Sequence, residues 1–423
     1  MRARPPRLTM LLMAALVSGC GAWDWSTMGR VPDRTSDTVQ AESAASARYR
    51  LAGTVSGREW QKIERLSSTV ADFPKEKLRP NGRHTDADIV KAFGTDAPPS
   101  TDVLLHYYKG WEQAKGTPVL LVHGTILDAT SSWIKPHDQK GLAQTLADQG
   151  LGVFAVTFAN RQGDNVLQAE QIAWAISRIK QVTGAKEVDV VAHSKGTVAA
   201  RVLASDVRYP WMTAYKRDIR RLVLIAGPHL GLDTTFRHPI INYGLYPEKS
   251  DSRLNAPMSW TGMLVLGVWA DTSAQTMFKK YGDYFPGQAQ MLARWDHEYP
   301  LPQTEVDWYT TYNGGQGFLS RSPGIDQAIA DGGNFIETLR RYPLDPSVEL
   351  AVLAGNRADL AGIHNEHTGP SDGVVFVKSA TATDDMTRAG ARLVAKDLLH
   401  LNHMDLVIAP EAHAWVAGAL RSR

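Results

Sequence analysis

The serine in "EVDVVAHSKGTVAAR" (187–201) stands between two unlike patterns, a Val-rich run before it and helix-forming residues after it. On a tight strand-to-helix turn, the Oγ of Ser194 is pushed clear of the backbone and can attack an acyl carbon. At the start of an ordinary helix it caps the first turn instead. Small residues two positions to either side, Ala192 and Gly196, let neighbouring chain pass close to such a turn. A-x-S-x-G is frequent by chance, so the pentapeptide alone leaves both roles open.

A hydroxyl becomes a nucleophile when a base takes its proton and an acid orients the base, in the chain order nucleophile, acid, histidine. Two acids follow the apolar run "VELAVLAG" (348–355): Asp359 in "GNRADL" and Asp372 in "GPSDGVVFVKSA". Asp372 is favoured, because its Ser/Gly/Pro turn can expose a carboxylate and the apolar run after it can fix it. Asp359 reads equally well as a solvated loop residue. "LLHLNHMDLVI" offers His400 and His403, with His413 farther on. His400 falls inside a strand pattern and reads as a satisfied core histidine. His403 falls where that pattern ends, so it is the candidate base.

Upstream, "PVLLVHGT" ends an apolar strand in His123-Gly124. His123 is expected to shape the following loop through backbone hydrogen bonds and to take no proton. The ordered set "VHGT", "AHSKG", "SDGVV" and "NHMDL" resembles the lipase and esterase branch of the α/β-hydrolase family. "LIAGPHLGLD" (224–233) is similar to a Pro-His-x-Gly segment of many lipases. The resemblance runs from about Asp102 to Leu420. It implies Ser194 as nucleophile, His403 as base, Asp372 as acid, and the backbone N–H groups of Thr125 and Lys195 as the pair that meets the oxyanion. It implies no cofactor. The sequence departs from the commonest pattern at Ala192 and at Lys195, which stands where Met or Gln is frequent. A cation beside the nucleophile points to polar or anionic acyl substrates.

These residues need a scaffold. Short β-branched runs alternate with helical patterns, which predicts an α/β fold with a mostly parallel sheet and helices on both faces. Candidate strands are 102–108, 118–124, 152–158, 187–193, 220–227, 348–355 and 392–401. "DNVLQAEQIAWAISRIKQVTG" (164–184) places Val166, Ala169, Ile172, Ala173, Ile176 and Ile179 on one stripe, with Gly184 as a stop. "PEAHAWVAGAL" reads as a closing helix. More than a hundred residues separate the strands near Ile225 and Leu350, so a large insertion is expected at about 229–346. Its run "APMSWTGMLVLGVWA" (256–270) suits either a lid over the site or a core helix.

The first residues read separately. "MRARPPR" is basic, "LTMLLMAALV" is apolar and too short for an ordinary span, and "SGC" follows. "LVSGC" resembles a bacterial lipobox, which implies a signal peptide over 1–19, acylation of Cys20, and a protein held in the cell envelope by lipid. Cys20 is the single cysteine, so no intrachain disulfide is possible. Residues 20–57 are expected to be a flexible tether and 58–423 the folded body. A formal charge of +2, without a basic run, argues against a nucleic-acid partner. "IHNEHTG" holds His364, Glu366 and His367 at a spacing that suggests a metal, but a solvated loop is the simpler reading. Oligomeric state is not written in the sequence.

The expected function is therefore a membrane-anchored carboxylic ester hydrolase acting on an ester or lipid through an acyl-enzyme. The same triad would serve an acyltransferase or a polyester depolymerase. A catalytically inactive surface-binding lipoprotein is the alternative from another class.

Overall fold

The computed structural model describes residues 48–76, 78, 83–134, 140–237, 285–301, 312–316, 321–360, 363–364 and 369–421. The signal peptide, Cys20, most of the expected tether and the run 256–270 lie outside the described residues.

Nine strands make one sheet: β1 (Tyr49–Val55), β2 (Lys62–Ser68), β3 (Asp102–Tyr107), β4 (Val119–Val122), β5 (Val153–Phe158), β6 (Val188–His193), β7 (Ile219–Ile225), β8 (Glu349–Gly355) and β9 (Arg392–Leu399). They lie in the order β1-β2-β3-β5-β4-β6-β7-β8-β9. The pairings β1–β2, β2–β3 and β3–β5 are antiparallel, and every pairing from β5 to β9 is parallel. This is the mostly parallel α/β sheet that the sequence pattern predicts, in the fold that the motif resemblance implies.

The period of two along a strand sorts its side chains into two cores. Leu120 and Val122 of β4, with Val190 and Ala192 of β6, enter one core. Val119, Leu121 and Val191 enter the other. The first core is covered by α4 (Asn165–Thr183) and α5 (Lys195–Ala204). The second is covered by α1 (Ala87–Phe93), α2 (Ala129–Trp133), α3 (Leu142–Ala147) and the closing helix Pro410–Arg421.

Helix α4 starts and stops where its sequence signals stand. The Asp164 side chain accepts from the N–H groups of Val166 and Leu167, and Gly184 ends the helix in the left-handed conformation at φ 73°. Of the expected stripe, Val166, Ala169, Ile172, Ile176 and Ile179 are buried.

The body begins earlier than expected. Tyr49–Val55 falls within the expected tether, yet it is the edge strand of the sheet. Its side chains are half-buried or exposed, so backbone pairing carries it and no apolar run announces it. Strand β2 was hidden for a related reason: its Glu64 is buried, but it is bonded to Arg178 and Tyr107. The last strand ends at Leu399, and His400 is exposed and bonded to Asn356 Oδ1 at 3.0 Å, so it is no core histidine. Within the insertion, Leu232, Phe236, Met291, Leu292, Tyr312, Phe335 and Leu339 join the first core, and Leu232 pairs with Leu292.

Candidate active site

β6 delivers the chain to Ser194 in an unusual conformation, φ 52° and ψ −126°. A non-glycine residue there costs roughly 1–3 kcal/mol and is held only by its surroundings. The Ser194 N–H donates to the Ile225 carbonyl at 2.9 Å, and the Ser194 carbonyl accepts from the Thr197 N–H and hydroxyl. The Ser194 side chain makes no capping bond to α5, which sets aside the helix-cap alternative. Close approach explains the two glycines around it. A Cβ on Gly196 would meet the His123 carbonyl at 2.5 Å, and one on Gly124 would meet the Ser194 Cβ at 2.9 Å.

The Ser194 Oγ lies 2.9 Å from His403 Nε2, and His403 Nδ1 lies 2.8 Å from Asp372 Oδ2. With Nδ1–H donating to the carboxylate, Nε2 is left as the acceptor for the serine hydroxyl. The other Asp372 oxygen accepts from the N–H groups of Val374 and Val375, and the Asp372 carbonyl accepts from the His403 N–H at 2.8 Å. All three residues are buried, Ser194 retaining 7% exposure. His193 packs its ring 4.8 Å from that of His403, and its Nε2 donates to the His403 carbonyl at 3.1 Å.

His123 is structural, as the sequence suggests. Its Nδ1–H donates to the Gly124 carbonyl at 2.7 Å and its Nε2 accepts from the Phe158 N–H at 3.3 Å. Burial pushes its pKa down to about 4. The loop then turns through Ile126 at φ 54°, with the Thr125 carbonyl accepting from Leu127 N–H. Among the described residues, neither the Thr125 N–H nor the Lys195 N–H has an acceptor.

The Lys195 side chain corrects the sequence reading. It was expected to offer a cation to substrate, but it is buried and donates to Gln168 Oε1 at 2.5 Å. Desolvation drives its pKa down to about 7, against the charges of Glu76 and Asp164. Desolvation likewise raises Glu76 to about 7, with Asp164 adding to the rise. Glu76 accepts from Asp164 N–H and from Asn160 Nδ2. A polar layer thus underlies Ser194 and the loop after β4. Its other members, Gln162 and Gln288, bond to the Thr125 hydroxyl. Sequence reasoning missed these supports. "NRQGDN" reads as a helix entry and "PGQAQ" as punctuation in the insertion, since amides carry no periodicity.

The remaining candidates fall elsewhere. Asp359 is paired with Arg357 and also accepts from Asn402 at 3.3 Å. His413 is buried, with Nε2 donating to the Val407 carbonyl. His364 lies in a two-residue strand, but its side chain, with Glu366 and His367, is outside the described residues. Among the described residues no three His, Cys, Asp or Glu side chains form a metal-holding group.

The fold and this constellation define an α/β-hydrolase-fold protein with a Ser–His–Asp hydrogen-bond chain at the end of β6. Among known families, one described as a domain of unknown function, DUF7379, matches residues 96–236. A triacylglycerol lipase of Pseudomonas fragi is 33% identical over 89 residues, which are 21% of this chain and 29% of that protein. The match therefore spans less than a third of that lipase's length. Among solved structures, a Bacillus licheniformis lipase in its mature form has a TM-score of 0.42 at 15% identity, covering 73% of this chain and 96% of that one. A highly thermostable carboxyl esterase from Bacillus coagulans has a TM-score of 0.38 at 13% identity, covering 75% and 93%.

Proposed function

We propose that this protein is a serine hydrolase of carboxylic esters, working through an acyl-enzyme on Ser194. The observation that carries the reading is the unbroken chain from Ser194 Oγ through His403 to Asp372, on a strained turn. In this mechanism Ser194 Oγ attacks the acyl carbon while His403 Nε2 takes its proton. The carbonyl oxygen becomes negative and is met by the N–H groups of Lys195 and Thr125. His403 then protonates the departing alcohol, leaving the acyl group on Ser194. Water, giving its proton to His403, attacks the ester, and the acid leaves as the proton returns to Ser194. Asp372 orients the imidazole and stabilises its charged form, and its two backbone bonds hold the carboxylate in place. The chain supplies every group in this scheme, and no cofactor enters it.

The lipase and esterase names of the similar proteins agree with an ester substrate. Hydrolysis of p-nitrophenyl butyrate and octanoate by the wild type and by Ser194→Ala tests the reading. Loss of turnover in the variant, together with fluorophosphonate labelling of Ser194, is expected. Equal rates would end it.

We also propose that Cys20 is acylated and holds the protein at a membrane of the cell envelope. Each buried methylene contributes roughly 0.8 kcal/mol, so two or three chains anchor durably. The described residues contain no helix long and apolar enough to cross a membrane. Palmitate labelling that persists in Cys20→Ala would overturn the proposal.

A further inference from the structure

The insertion reaches back to the loop that carries Thr125. Its short helix Pro286–Ala289 brings Gln288 against that loop, where Gln288 Nε2 donates to the Thr125 hydroxyl at 2.5 Å and to Gln162 Oε1 at 2.6 Å. The Thr125 hydroxyl in turn donates to Gln162 Oε1. Gln288 and Gln162 are both buried. The three side chains close a triangle, and only one of its corners, Gln288, belongs to the insertion.

The helix is seated by more than this triangle. Gly287 N–H donates to the Gln162 carbonyl, and Asn165 Nδ2 donates to the Gly287 carbonyl, both at 3.1 Å. Gln290 donates to Asp164 Oδ2 at 2.7 Å and accepts from the Asn165 N–H at 2.8 Å. Gly287 lies so close to the buried lysine that a Cβ there would be 2.2 Å from Lys195 Cε. Both residues whose N–H groups face the developing oxyanion in the proposed mechanism are therefore contacted, through their side chains, by one turn of the insertion.

We infer that Gln288 is a positioning residue for the oxyanion pocket, acting through the Thr125 hydroxyl, so that the insertion must be docked for the site to be competent. The inference rests on the ester-hydrolase reading above. Its physical basis is the conformation of the loop. The N–H of Thr125 points where the peptide plane between Gly124 and Thr125 points, and the next residue, Ile126, already sits at φ 54°. That plane is held at its other end by His123 Nδ1–H, which donates to the Gly124 carbonyl, and among the described residues no backbone N–H adds to that restraint. A hydroxyl fixed by two buried amides restrains the rotation of Thr125 and hence the direction of its N–H. The donor is useful only when aimed at the place the oxyanion will occupy, and it gains importance only as charge develops. Losing the restraint therefore lowers kcat and leaves ground-state binding nearly unchanged.

The test uses the full chain and p-nitrophenyl butyrate. Gln288→Met keeps the bulk and removes the amide, and Thr125→Val removes the hydroxyl while keeping the N–H. Each variant is expected to lose about tenfold in kcat, with KM within about twofold, a fraction of the 10²–10³ that loss of a whole oxyanion donor costs. The double variant is expected to lose no more than the weaker single variant, because both remove one linkage. A boronic acid that forms a charged tetrahedral adduct on Ser194 should weaken in parallel with kcat. Unchanged kcat in Gln288→Met, a loss confined to KM, or losses that multiply in the double variant would each overturn the inference. Should the wild type neither hydrolyse the ester nor label with a fluorophosphonate, the ester-hydrolase reading itself falls. If Gln288→Met proves unstable, Thr125→Val still decides: its kcat must fall, since the link runs through that hydroxyl.

Discussion

His403 Nε2 lies 2.9 Å from Ser194 Oγ although 209 positions separate the two residues in the chain. The parallel sheet makes this meeting possible. Strands β6 and β9 are separated by β7 and β8, and the turns that follow β6 and β9 leave from the same edge of the sheet. The carbonyl of His403 is held by His193 and its N–H by Asp372. The base is therefore fixed through its backbone as well as its ring.

Replacing Asp372 with Asn should abolish most activity with little change of fold. One oxygen of Asp372 is held by the Val374 and Val375 N–H groups, so an amide keeps its oxygen there and turns its NH2 toward His403 Nδ1. The imidazole must then accept at Nδ1 and carry its proton on Nε2, where it cannot take one from Ser194. A drop of roughly 10³–10⁴ in kcat is expected, by analogy with the same change in a serine protease triad. Esterase kinetics with a circular dichroism control measure it, and a drop below tenfold would count against Asp372 as the orienting acid.

Gly196→Ala is a steric test of the turn. The added Cβ meets two backbone carbonyl oxygens, that of His123 at 2.5 Å and that of Val122 at 3.0 Å. The loop that carries Thr125 must move away from α5, at a cost of about 1–3 kcal/mol in stability. Since Thr125 and Lys195 move apart, kcat falls more than KM changes. Thermal unfolding and steady-state rates read the two effects; an unaltered melting temperature would show that the contact is not tight.

Much of this site was legible because its residues sit at strand ends. Alternation and β-branched runs located β3 to β9, and the chemistry stands at the C-terminal ends of β4, β6, β8 and β9. What failed to show was polar. The network of Glu76, Gln162, Asp164, Gln168 and Gln288 comes from three separate stretches and has no period. The side chain of Lys195 was misread for the same reason: sequence places it beside Ser194, but only the packing of Gly287 and Gln168 shows that it is buried. Strand β1 escaped because its stability comes from backbone pairing.

Truncation checks where the body begins. A chain starting at Arg48 retains β1, the Arg48 bond to the Trp211 carbonyl and the packing of Tyr49 near Trp174. A chain starting at residue 58 loses all three and exposes the edge of β2. The first truncation should leave the melting temperature unchanged. The second should lower stability by about 1–3 kcal/mol and make the protein prone to associate through the bared edge. Equal melting temperatures would return Tyr49–Val55 to the tether.

The half-buried carboxyl of Glu76, bonded to the Asp164 N–H and to Asn160 Nδ2, predicts a pH effect with a definite sign. Glu76 is raised to about 7 from 4.5 by desolvation first and then by the charge of Asp164. Between pH 4.5 and 7 the folded protein keeps a proton that the unfolded chain has lost. The folded state thus binds more protons in that window, and this group's contribution to stability falls as pH rises through it. Glu76→Gln is neutral at every pH, and its amide oxygen still accepts from the Asp164 N–H, so it lacks this slope. The variant should match the wild type near pH 4.5 and exceed it increasingly up to pH 7, by roughly 1–3 kcal/mol at the upper end. Paired thermal melts at pH 4.5, 5.5 and 7 make the comparison, in which groups that do not sense the Glu76 charge cancel; Lys195 and Asp164 do sense it, so Lys195→Met is melted alongside as a control. A difference that is constant across the window would mean that Glu76 ionises alike in the folded and unfolded chain.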